Sequence, residues 1–75
     1  MTNTGALREC IKNRGMSITF VAEKSGILRE TMYNRLKTGD FKISEITALS
    51  SVLNLSRDER DDIFFAMNSE LNSAT

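Results

Sequence analysis

Apolar residues recur at helical spacing in five successive stretches, a pattern that predicts an all-α fold. In the first, Leu7, Cys10 and Ile11 share one side of a helix expected from about Ala6 to Arg14, with Gly15 as its stop. In the second, Ser17 is placed to accept a hydrogen bond from a first-turn N–H, and Val21 and Ala22 form a narrow inward stripe. Gly26 ends that helix, and the small Ala22 one turn earlier allows the next helix to cross closely. The third helix, residues 28–37, turns Met32 and Leu36 inward and leaves Arg29, Glu30, Tyr33, Asn34 and Lys37 facing out.

The fourth helix is expected from Ile43 to Asn54, with Ile46, Leu49, Val52 and Leu53 inward. Before it lies a turn, Lys37 to Lys42, whose Phe41 plugs the bottom of the core. The fifth opens on Ser56-Arg57-Asp58-Glu59, which has the form of a capping box. Its acidic run through Asp62 suits the positive end of the helix dipole. From Ile63 this helix carries more apolar residues than one stripe needs. Ile63 and Met67 suit the core, while Phe64, Phe65 and Leu71 either meet a second copy of the chain or, for the two phenylalanines, fold back on the first helix.

Seventy-five residues make one domain, 1–75, with 1–5 and 72–75 expected to be frayed. A chain of this size buries only about 60% of its unfolded surface, so its stability should be modest. No apolar run reaches membrane length and the start has neither a basic region nor an apolar signal core. The expected location is therefore the cytoplasm.

Chemistry narrows the field further. There is no histidine, and Cys10 is the lone cysteine, which removes an internal disulfide, an ordinary zinc site and a Cys–His pair. With no phosphate-cradling glycine loop either, no catalytic constellation and no cofactor site are expected. Asp58 and Asp62 stand one turn apart but lack further metal ligands. Net charge is zero, yet it is segregated. Residues 1–42 hold eight basic and four acidic side chains, a balance of +4, and the remainder holds two basic and six acidic, a balance of −4. The basic half contains the third helix, as a polyanion binder would require.

Together, Gly15-Met16-Ser17, Val21-Ala22, Gly26-Ile27, Thr31-Met32-Tyr33, Leu36-Lys37 and Phe41 resemble the helix-turn-helix of the lambda-repressor/Cro-like (XRE) regulators, closest to the small phage-type versions. The resemblance spans roughly residues 6 to 56. It implies a compact five-helix DNA-binding domain whose third helix enters the major groove. Arg29, Glu30, Tyr33 and Asn34 would then contact bases, Tyr33 having a phosphate or a thymine methyl within reach. Ser17, Thr19, Arg35, Lys37 and Lys42 would hold phosphates. Of the other basic residues, Arg8, Lys12 and Arg14 belong to a solvated face of the first helix, from which they could also approach a phosphate.

Ile18, Phe20 and Leu28 depart from the family pattern. Ile18 stands where a polar phosphate contact is common, Phe20 where a charged residue is common, and Leu28 where serine or threonine usually begins the recognition helix. Two functions follow. One is a transcriptional regulator of repressor or Cro type, bound to its operator as a homodimer. The other is a protein-interaction modulator, a co-repressor or antirepressor that binds another phage regulator through Ile18, Phe20 and Leu28. Ile18, three residues before Val21, also fits the core stripe.

Overall fold

The computed structural model describes residues 2–65, which form five α-helices and no strand: α1 Thr4–Asn13, α2 Ile18–Ser25, α3 Arg29–Thr38, α4 Ile43–Val52 and α5 Arg57–Phe64. Their inward faces meet in one core of Leu7, Ile11, Val21, Ala22, Ile27, Met32, Leu36, Ile46, Leu49, Leu53, Ile63 and Phe64. Ala22 is 1% exposed, in keeping with a close helix crossing at that position. No described helix is long and apolar enough to cross a membrane.

α1 starts two residues earlier than the apolar spacing suggested, because Asn3 caps it. Asn3 Oδ1 accepts from the Ala6 N–H at 3.0 Å, and the Asn3 N–H donates to the Ile63 carbonyl at 2.7 Å. With Thr2 buried as well, this stretch is tied to α5 rather than frayed. Residues 72–75, the other expected fray, lie outside the described residues, as do Met67 and Leu71.

α2 is capped by Ser17, whose Oγ accepts from the Phe20 N–H at 3.0 Å. It ends where Gly26 adopts φ +72°, letting the Ile27 N–H reach back to the Ala22 carbonyl at 2.9 Å. A Cβ on Gly26 would touch nothing, so the left-handed backbone, not lack of space, is what calls for glycine. In the short turn of Gly26, Ile27 and Leu28, Ile27 drops into the core and Leu28 is left outside at 77% exposure. α3 follows at once.

α4 is shorter than expected. It stops at Val52, Leu53 is its buried C-cap, and Asn54 takes φ +52°, a conformation asparagine tolerates better than most residues. Val52 is half-buried against the core. α5 carries the expected box: Ser56 Oγ accepts from the Glu59 N–H at 3.1 Å, and Glu59 Oε1 accepts from the Ser56 N–H at 2.9 Å.

Phe64 is 2% exposed and meets the Phe41 ring edge to face, at 5.6 Å between centroids and 77° between planes. It is a core residue and offers nothing to a second copy, and Phe65 is half-buried against the same core. Phe41 thereby closes the core from the α3–α4 loop, as its position suggested.

Arg14 departs most from a solvated residue. Its Nε donates to the Leu53 carbonyl, Nη1 donates to Cys10 Sγ at 3.1 Å, and Nη2 lies 3.4 Å from Glu59 Oε2. One guanidinium thus joins the ends of α1 and α4 to the start of α5. Burial pushes the half-buried Cys10 thiol up, with the nearby Arg14 charge opposing and the Glu59 charge adding to the rise.

Candidate nucleic-acid interface

α3 buries Met32 and Leu36, half-buries Thr31 and Arg35, and leaves its other residues exposed. Arg29, Glu30, Asn34 and Lys37 are exposed and Tyr33 is 42% exposed, so all four expected base-contacting residues are at the surface. Arg29 is not independent of Tyr33. Its guanidinium carbon lies 5.9 Å from the Tyr33 ring centroid, a cation–π contact. An open groove runs along this surface, lined by Leu28, Arg29, Glu30, Thr31 and Tyr33.

A second depression, between α2 and α3, brings Thr19 of α2 to the same side as Leu28 and Arg29. Ser17 serves as the α2 cap, and Lys37 and Lys42 are exposed at the end of α3 and the start of α4. The expected phosphate residues therefore divide. Thr19, Lys37 and Lys42 stand at the surface, whereas Arg35 is drawn toward α4, its Nε 3.0 Å from Glu45 Oε1, with side chains only 21% and 13% exposed. Arg35 thus fastens α3 to α4 through Nε, a second role beside the phosphate contact expected of it.

Glu45 itself was not singled out by sequence spacing. Oε1 also accepts from the Lys42 N–H at 2.8 Å, so one carboxylate oxygen caps α4 and holds Arg35. Its burial would raise the carboxyl pKa, but the Lys42 N–H, the Arg35 hydrogen bond and the adjacent positive charges together bring it below the ordinary glutamate range. A glutamate three residues after a helix start is a signal for the cap, but nothing local signals the arginine.

The three apolar departures also separate. Ile18 is half-buried and packed against the core, which accounts for it without a partner. Phe20 is 43% exposed beneath the Lys24 ammonium, 5.6 Å from its ring centroid, and Leu28 has no such cover. Ile43, 70% exposed, is a further apolar surface residue. It is the first residue of α4, three residues before the buried Ile46. No cluster of three or more metal-binding side chains occurs among the described residues, and Asp58 and Asp62 gain no third ligand.

No protein-family model matches the chain, and comparison with curated proteins and with solved structures likewise finds no match.

Proposed function

We propose that this chain is a sequence-specific DNA-binding transcription regulator of phage repressor/Cro type, a lambda-repressor-like domain in which α2, the turn at Gly26 and α3 form the helix-turn-helix. One observation carries the reading. α3 buries Met32 and Leu36 in the core and ties Arg35 to Glu45 of α4, while Arg29, Glu30, Tyr33 and Asn34 are exposed among the described residues. A helix held from behind with hydrogen-bonding groups in front has the form needed to enter a major groove, where arginine donates twice to guanine and asparagine pairs with adenine. Lys37, Lys42 and Thr19 flank that face and would bind phosphates, fixing the register without reading sequence.

The regulator works as a homodimer on a two-fold site in this reading, because two short readers gain affinity from each other. The contact between copies excludes Phe64, which the core already holds. Sedimentation that gives only monomer at high micromolar concentration, on and off DNA, would remove the dimer. On a cognate site, Asn34→Ala should lose about 1–3 kcal/mol of discrimination at one base pair per half-site, measured by titrating single-base variants. Equal weakening on every sequence would show that Asn34 does not read a base.

A second reading, a modulator that binds another phage regulator, has the exposed Leu28 and Phe20 in its favour together with zero net charge. It predicts no sequence preference on duplex DNA.

A further inference from the structure

We infer that Leu28 reads a thymine, by packing its side chain on the C5-methyl group in the major groove; the inference rests on the DNA-binding reading of α3. Leu28 is the N-cap of α3, with backbone angles of −59° and 141°, and its side chain makes no capping bond. The turn sends Ile27 inward and Leu28 outward to 77% exposure, the largest among the exposed large hydrophobic residues. It borders both depressions, the groove along α3 and the one between α2 and α3, so it stands where the two helices jointly present their surface.

The residues beside Leu28 have polar tasks available on DNA. Thr19 suits phosphate oxygens, and Arg29 and Glu30 suit base edges. An isobutyl group suits neither. The N-terminal residues of a helix in the major groove approach the base edges most closely, and the apolar group displayed on those edges is the thymine methyl. Leucine at this position gives up the cap that serine or threonine would supply, and in exchange places apolar surface against the one apolar feature of the groove floor.

The test uses the full chain and duplex sites enriched from a random pool. Each thymine of the enriched site is replaced singly by 2′-deoxyuridine, which deletes the methyl and keeps base pairing. Wild-type protein should bind about fourfold more weakly when one particular thymine in a half-site loses its methyl. Leu28→Ala should bind the thymine and deoxyuridine sites equally, near the affinity of wild type for the deoxyuridine site. Helical signal and melting of this exposed-site variant, unchanged from wild type, exclude misfolding. Indifference of the wild type to every methyl overturns the inference while leaving DNA binding intact, as does a Leu28→Ala variant that keeps the sensitivity. A pool that yields no enriched site overturns the DNA-binding reading itself.

Discussion

At the start of α5, Ser56 and Glu59 exchange two hydrogen bonds and Arg14 lies against the Glu59 carboxylate. At the start of α3, Leu28 caps nothing and stands in solvent. Both helices begin on the surface of the same small domain, and under the DNA-binding proposal the difference reflects what each end is for. The α5 end is built to hold the domain closed, and it joins three helices through Arg14. The α3 end leaves its first N–H groups without a side-chain partner and shows an apolar side chain where stability alone would favour a polar one. Local choices that cost stability concentrate where a surface has another task.

Arg14→Ala should damage the stabilised end most. It removes a charged donor from the Leu53 carbonyl and the partner of Glu59, for a loss of about 2 kcal/mol. Thermal unfolding should show a midpoint lower by roughly 8–16 °C, at 4–8 °C per kcal/mol for a domain this small, while DNA affinity measured well below the midpoint stays near wild type. A midpoint within 2 °C of wild type would mean that the clasp contributes little. Ser56→Ala comes next, with about 1 kcal/mol lost in denaturant titration.

Leu28→Ser tests the other end and should act in the opposite direction. It supplies the missing cap and raises stability by about 0.5–1 kcal/mol, while weakening binding to the cognate site. A serine that leaves both quantities unchanged would erase the contrast between the two ends. The smallest effect is on pH dependence. The Glu59 carboxyl is held below the ordinary glutamate range first by the Ser56 N–H, then by Arg14, with burial opposing. A depressed folded-state pKa contributes stability above the unfolded value, and that contribution is lost as pH falls through and below about 4.3. Glu59→Gln should therefore flatten the acid limb of a stability profile slightly, and a steeper acid limb in the variant would contradict the assignment.

The parts of the fold that were legible in the residues are those set by neighbours in sequence. Ser17 and Gly26 bound α2, Ser56 with Glu59 starts α5, and Met32 with Leu36 orients α3, because each signal acts within about one helical turn. What escaped depends on distant partners. The Asn3 N–H finds the Ile63 carbonyl, Phe64 finds Phe41, and Arg14 finds Leu53 and Glu59, none of which any local spacing announces. The tie from Arg35 to Glu45 escaped for the same reason. The position of Arg35 on α3 is compatible with a phosphate contact, and only the docking of α4 brings Glu45 beside it. The exposure of Arg29, Glu30, Tyr33 and Asn34 was readable because it follows from the helical period set by Met32 and Leu36; the apolar residues were harder, since Ile18 and Leu28 look alike until one is packed and the other is not.

The most direct test of α3 as a reader of DNA is selection of the purified chain against a random duplex pool, followed by titration of the enriched sequence at low and physiological salt. The account predicts a two-fold symmetric site whose affinity falls steeply as salt rises. A pool without enrichment, with feeble and sequence-independent binding at low salt, would contradict it.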